Sequence, residues 1–309
     1  MITSRITRID QPNEAHHKAV LDPLIVFSDA GAGNRDWPDH TLCLAIRGAD
    51  GSVHGGLWGR FYYDWLFIEL IFIPENLRGQ DLGTVLLAMA EARARAWGAV
   101  GVWLDTFSFQ ARGFYEKRGY ALFGEIASYP DSHRRFFLRK RLEREAPTVE
   151  SSHPLVEEIL DPPAGLRKAI DAPLSVFNDA KLGGGERPER LHAFTVTDED
   201  GAIIGGLWGR SYYDWLYVDV LFVPESLRGQ GLGTELLALA EDEVRAIGGV
   251  GIWLDTFSFQ APDFYPRHGF LPIGRLDAYP GPHSRTFFAK TIEAHRGATL
   301  APAAELTKA

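Results

Sequence analysis

The chain reads as a mixed α/β protein made of two tandem copies of one domain, and three observations carry that reading. The second half repeats the first at a constant offset of about 150 residues. Within each copy, short runs rich in β-branched and aromatic residues alternate with segments of helical spacing. A glycine-rich turn joins a strand to an amphipathic helix at the same place in both copies. From Gly55 to Gln110, roughly two-thirds of positions recur unchanged at Gly205 to Gln260, with no slip of register. A period this long excludes solenoids and propellers, whose units are much shorter. With 309 residues and 45% hydrophobic content, each copy is large enough to bury a core of its own.

The elements follow in the same order in each copy. Pro173 to Ala180 reads as a short helix, matched by Pro23 to Ala30, and glycine-rich loops follow. Leu191 to Thr197 and Ala202 to Tyr213 read as strands joined at Asp200-Gly201, with Asp50-Gly51 as the first copy's turn. Trp215 to Val223 is a dense apolar run stopped by Pro224, hence a strand buried on both faces. Leu232, Leu236, Leu237, Leu239 and Ala240 then recur at helical spacing, with acidic residues opposite, until Gly248-Gly249. A strand (Val250 to Asp255), a short helix (Ala261 to Arg267) and a hairpin (Phe270 to Ile292) complete the copy. Glu143 to His153 is polar and interrupted by Pro147, so the expected division is 1–145, 151–295 and a fraying tail at 296–309.

Composition narrows the function. A net charge of −9 and a pI near 5.6 argue against nucleic acid as a partner; they suit a cationic or amine-bearing substrate, with solubility alone as the alternative reason for the acidic balance. Cys43 is the only cysteine, which excludes an intrachain disulfide and a cysteine metal cluster, and the histidines lack ligand partners at metal-binding spacing. Met1 to Val20 carries Arg5, Arg8, Asp10 and Glu14 instead of an apolar core, and no apolar run approaches membrane-spanning length. A cytoplasmic protein with no membrane partner is the expectation.

The chemistry centres on Arg228-Gly229-Gln230-Gly231-Leu232-Gly233, which opens the amphipathic helix. Unpaired backbone N–H groups at a helix N-terminus, together with the helix dipole, favour an anion, and glycine lets the backbone approach a pyrophosphate closely. Arg228 adds a cation. The spacing is neither the dinucleotide fingerprint nor a Walker loop. In the first copy the same stretch reads Arg78-Gly79-Gln80-Asp81-Leu82-Gly83, so a carboxylate replaces Gly231. At close range that charge adds repulsion of about 1 to 4 kcal/mol toward a bound phosphate. The alternative for Asp81 is a helix cap turned to solvent.

This segment resembles the coenzyme-A-binding motif of the GNAT (Gcn5-related) N-acetyltransferases. Phe264-Tyr265-Pro266-Arg267-His268-Gly269-Phe270 and Phe114-Tyr115-Glu116-Lys117-Arg118-Gly119-Tyr120 are similar to that family's Phe-Tyr-x-x-x-Gly-Phe segment. The resemblance covers most of 20–142 and 170–292. It implies two GNAT-like domains, each a mostly antiparallel mixed sheet flanked by helices, whose fourth and fifth strands splay to admit acetyl-CoA. It further implies cofactor contacts from Leu221, Phe222, Val223, Arg228, Gly229, Gln230, Gly231, Leu232, Gly233, Thr234 and Ser258. Ser258 and Ser108 stand where the family often has asparagine, and Pro266 follows the candidate acid directly.

By the same resemblance Asp219 or Glu69 deprotonates an amine, and Tyr265 or Tyr115 protonates the departing thiolate. Alternation along the strand sets Glu69 with Phe67 and Ile71, and Asp219 with Tyr217 and Leu221, among apolar neighbours that would raise a carboxylate pKa. Structural roles for these carboxylates and tyrosines are the alternative. Tyr62-Tyr63-Asp64-Trp65 and Tyr212-Tyr213-Asp214-Trp215 form an aromatic hairpin tip suited to a cation or to turn and core duty. His133 and His283 lie in matching hairpin loops, as surface residues or as an alternative base. The expected activity is acetyl transfer from acetyl-CoA to a primary amine of a small molecule, with the second copy as principal site. An internal pseudo-dimer is expected, a homodimer is left open, and a non-catalytic acyl-CoA-responsive module or a protein acetyltransferase is the rival.

Overall fold

The computed structural model describes residues 5–33, 37–143, 153–184 and 189–292. The tail at 296–309 and most of the expected linker lie outside them. In chain order the elements are β1 (Arg5–Arg8), α1 (Glu14–Gly31), β2 (Asp39–Arg47), β3 (Val53–Tyr62), β4 (Trp65–Phe72), α2 (Leu82–Ala96), β5 (Gly101–Phe107), α3 (Arg112–Glu116), β6 (Ala121–Ala127) and β7 (Arg134–Arg141). The second series is β8 (Val156–Leu160), α4 (Ala164–Lys181), β9 (Arg190–Thr197), β10 (Ile203–Tyr212), β11 (Trp215–Phe222), α5 (Leu232–Ala246), β12 (Gly251–Phe257), β13 (Leu271–Asp277) and β14 (Ser284–Thr291). The short helix of the second copy is replaced by a 3₁₀ turn at Pro266–His268, because Pro266 lacks the N–H an α-helix would use.

All strands join one sheet in the order β1-β9-β10-β11-β12-β14-β13-β6-β7-β5-β4-β3-β2-β8. It is antiparallel except at β4·β5 and β11·β12. The copies meet at β13·β6 through Gly274 and Gly124, positions one repeat apart, so the contact is a pseudo-two-fold. Glycine is required there: a Cβ on Gly124 would stand 2.8 Å from the Ile273 carbonyl oxygen, and one on Gly274 2.5 Å from that of Phe123.

The two aromatic hairpin tips lock this junction. Tyr63, Trp65, Tyr213 and Trp215 are all buried in a central cluster with Trp103, Phe137, Trp253 and Phe287. Trp65 Nε1 donates to the Ala278 carbonyl and Trp215 Nε1 to that of Ser128, each at 2.8 Å. The cation-binding expectation for the tips therefore gives way to turn and core duty, with Tyr62 and Tyr212 lining the cavity beside the sheet.

The terminal β-α units change sides. β1 pairs with β9, and α1 packs on β9, β10 and β11. β8 pairs with β2, and α4 packs on β3 and β4. Val20 of α1 is thereby buried beside Trp208 and Val220, while Ile170 of α4 is buried beside Trp58 and Leu70. Both helices begin well before the prolines expected to start them; Pro23 and Pro173 lie inside, at the cost of one backbone bond each. On the other sheet face α2 buries Leu86, Leu87, Ala90 and Ala94, and α5 buries Leu236, Leu237, Ala240 and Val244. Among the described residues no helix is long and apolar enough to cross a membrane.

Candidate active site

β11 and β12 pair in parallel only from Trp215↔Gly251 to Val218↔Leu254, although both strands continue. β4 and β5 part in the same way after Ile68↔Leu104. A β-bulge coincides with each parting. The β10·β11 register jumps between Trp208/Val220 and Gly209/Val218, leaving Asp219 as the extra residue, and the β3·β4 register leaves out Glu69 likewise. Bulges re-aim side chains beside active sites. They also break the expected alternation. Ile68 and Ile71 both face the core under α2, whereas Leu70 joins the cluster under α4, so Glu69 and Ile71 do not share a face. Val218 and Leu221 pack under α5 while Val220 packs under α1.

One cavity of about 2310 Å³ runs past both partings. That exceeds the ~300–1,000 Å³ of a single small-ligand pocket, as expected for two joined sites. In the second half it is lined by Leu221, Phe222, Val223, Arg228, Gly229, Gly231, Leu232, Gly233 and Thr234, together with Asp219 and Tyr265. Gln230 and Ser258 are not brought to it. The Gln230 amide donates to the Ser226 carbonyl, and Ser258 Oγ accepts from the Ser284 N–H and meets His283 Nδ1 at 3.4 Å. His133 meets Ser108 in the same way, so neither hairpin histidine lines the cavity.

The residues fit a pyrophosphate at α5. Gly231 is the N-cap of the helix with φ +87°, and a Cβ built there meets nothing within 4 Å. The first N–H groups of the helix have no partner inside it. Arg228 is held by its Nε bond to the Val223 carbonyl and by the Phe27 ring, 4.4 Å from the guanidinium. Phe27 belongs to α1, so the exchanged helix completes the cradle. In the first half Arg78 is held by Ile73 and by Phe177 of α4. There Asp81 occupies the N-cap at φ +57°, makes no side-chain cap hydrogen bond and lines the cavity. Of the solvent-facing cap, the exposure is found and the side-chain cap bond is not.

Tyr265 and Tyr115 are buried beneath the partings and line the cavity. Burial, with Asp255 and Asp105 adding, pushes their hydroxyls well above the ordinary range, so both stay protonated and keep a proton to donate. Asp255 also accepts from the Tyr217 hydroxyl at 3.2 Å and pairs with Arg285 at 2.5 Å. Arg285 lies against Trp103 of the other half, as Arg135, paired with Asp105, lies against Trp253. These crossed Asp–Arg–Trp groups were missed from sequence; charged residues repeated within otherwise apolar strands were the available signal.

Asp219 departs from expectation. Its side chain is 36% exposed toward the cavity, and His17 Nε2 of α1 lies 3.4 Å from its Oδ2. Burial alone would raise its pKa, but His17, Arg210 and Arg285 together hold it below the usual carboxylate value of 3.8. The expected upward shift is therefore reversed. Glu69 faces Arg167 of α4 instead, with Nε 3.3 Å from Oε2. His17 and Arg167 occupy matching positions of the repeat. Because they differ, no motif advertised them, and both reach their carboxylates only through the exchange of α1 and α4.

The model of the acetyltransferase (GNAT) family matches residues 9–120 and 156–270. The chain belongs to that family and is a tandem, acyl-CoA-dependent acetyltransferase. Among curated relatives, acetyltransferase Atu2258 of Agrobacterium fabrum is 41% identical over 127 residues, which is 41% of this chain and 91% of the relative. Blasticidin-S acetyltransferase of Streptomyces morookaense is 41% identical over 96 residues, 31% of this chain and 71% of the relative. A solved acetyltransferase structure from Bacillus cereus is 28% identical, covering 44% of this chain and 98% of its own, with a TM-score of 0.40.

Proposed function

We propose that this enzyme transfers an acetyl group from acetyl-CoA to a primary amine of a small, cationic molecule, and that the working site lies between β11, α5 and α1. The observation that carries the choice of site is the cradle N-cap. Gly231 leaves the space before the α5 N–H groups open, whereas Asp81 sets a carboxylate into the matching space. Arg228, Gly229, Gly231 and Gly233 hold the diphosphate, and Leu221 to Val223, freed from β12, offer strand-edge groups to the pantetheine arm. Acetyl-CoA supplies the activated acyl carbon. Tyr265 donates its hydroxyl proton as a hydrogen bond toward the sulfur that leaves. Asp219, Glu69, Asp39 and Glu189 line the same cavity, each facing a basic side chain (His17, Arg167, Arg60 and Arg210), so carboxylates are available there to an amine that displaces those partners. That a similar protein is named for blasticidin S makes small-molecule amines the first class to try.

The test is calorimetry with acetyl-CoA, followed by thiol release with blasticidin S, spermidine and kanamycin as acceptors. One acetyl-CoA site per chain, and turnover with an amine, is the expected result. Two equal sites, or binding without release of free coenzyme A for any amine, would overturn the reading.

A further inference from the structure

We propose that His17, carried into the second half by α1, is the general base of the working site, with Asp219 as its positioning residue. The inference rests on the reading above and adds the residue that makes the two sites chemically unlike.

Four observations converge. His17 lines the cavity, and its Nε2 is buried against Asp219, 3.4 Å from Oδ2, without the alignment of a full hydrogen bond. The ring is oriented by Trp208, with centroids 5.0 Å apart. Asp219 is the extra residue of a bulge, which aims its carboxylate at α1. A carboxylate on Nε2–H fixes the neutral tautomer and leaves Nδ1 as the lone pair that accepts. Catalytic hydrogen bonds are commonly long before substrate binds.

The charged groups around this pair are few. Arg210 of β10 and Arg285 of β14 act on Asp219. Arg210 in turn interacts with Glu189, ahead of β9, and with Glu69 of β4. On β9 itself, His192 turns away to Ser211 and Glu243. On α1 the neighbours in sequence are His16 and Lys18, and Lys18 pairs with Asp22.

A lowered carboxylate is a poor acceptor for an ammonium proton, and an imidazole is better matched to neutral pH. One proton of the acceptor's ammonium goes to His17 and then to water. The freed nitrogen lone pair forms the N–C bond to the acyl carbon as the C–S bond breaks. The nitrogen sheds a second proton, and the departing sulfur takes up one, so the products are the amide and the free thiol. In the first half Arg167 stands in place of His17 against Glu69. A guanidinium keeps its proton at any working pH and accepts none, so that site has no counterpart of the His17 imidazole and keeps only the arginine-paired Glu69 carboxylate.

The experiment is the pH profile of kcat for wild type and His17→Gln with the best amine of the panel, beside acetyl-CoA affinity by calorimetry. Expected are a kcat at least 100-fold lower, loss of the acidic limb of the profile, and acetyl-CoA affinity within threefold of wild type. Wild-type kcat with an unchanged acidic limb in His17→Gln would overturn the assignment while leaving the acetyltransferase reading intact. Absence of wild-type turnover with every amine counts against that reading instead. Should His17→Gln not fold, Asp219→Asn, which no longer fixes the neutral tautomer, must lower kcat and displace the acidic limb. An unaltered profile there overturns the proposal equally.

Discussion

The two cradles are built alike and equipped differently. Each has a strand parting at a bulge, a buried tyrosine, an arginine held under a phenylalanine from the exchanged helix, and a glycine-rich turn into a helix. The second has Gly231 at the N-cap and His17 on its bulge carboxylate; the first has Asp81 and Arg167. On the proposed reading both differences act against catalysis in the first half, one by adding negative charge where phosphate would sit and the other by replacing the proposed proton acceptor. The shared architecture follows from packing, while on the proposed reading competence turns on two side-chain differences at matching positions of the repeat. A Cβ at Gly231 meets no atom, so nothing in the fold opposes Asp81 there beyond its left-handed backbone.

The shared architecture gives the largest expected effect. Trp65→Ala and Trp215→Ala each remove a fully buried indole and a cross-half hydrogen bond, so each should cost about 3 to 5 kcal/mol in denaturant unfolding. Near-equal losses are expected because the contacts are reciprocal; a loss confined to one variant would break the pseudo-two-fold description.

Next comes the cradle. Gly231→Asp should weaken acetyl-CoA binding by about 1 to 4 kcal/mol, or about fivefold to several hundredfold in Kd by calorimetry. Asp81→Gly should create a second, non-catalytic binding site. Turnover arising in the first half from Asp81→Gly alone would show that Arg167 does not disable it.

The smallest effect is the titration of Asp219. Its folded pKa is lowered, so its contribution to stability is complete above the ordinary value of 3.8 and is lost as pH falls through the lowered value. A carboxyl-carbon NMR titration of the wild type should show a midpoint below 3.8. His17→Gln, which removes the first of the lowering influences, should move that midpoint up. An unmoved midpoint would leave Arg210 and Arg285 as the whole cause.

Much was legible in the sequence for local reasons. The repeat, the strand and helix order and the cradle follow from apolar periodicity and glycine placement, which report short-range backbone preferences. The Gly231/Asp81 difference was visible because the surrounding residues are identical. The bulge was not legible, since it arises where β3 and β4, or β10 and β11, fall out of step, and a single strand's alternation cannot reveal its partner's register.

What the sequence by itself determined is therefore the two copies, their elements and the glycine-rich turns that open α2 and α5. The tertiary structure alone decided which copy each terminal β-α unit serves. β1 and β8 face equivalent edges on β9 and β2, with matching registers such as Ile6↔Val196 and Val156↔Ile46, so the repeated pattern satisfies pairing within a copy or across copies equally well. Only the closed arrangement, with both halves locked through Trp65 and Trp215, brings His17 to Asp219 and Arg167 to Glu69. Side chains about a hundred residues apart or more meet there through the fold, a proximity that neither local preference nor spacing encodes.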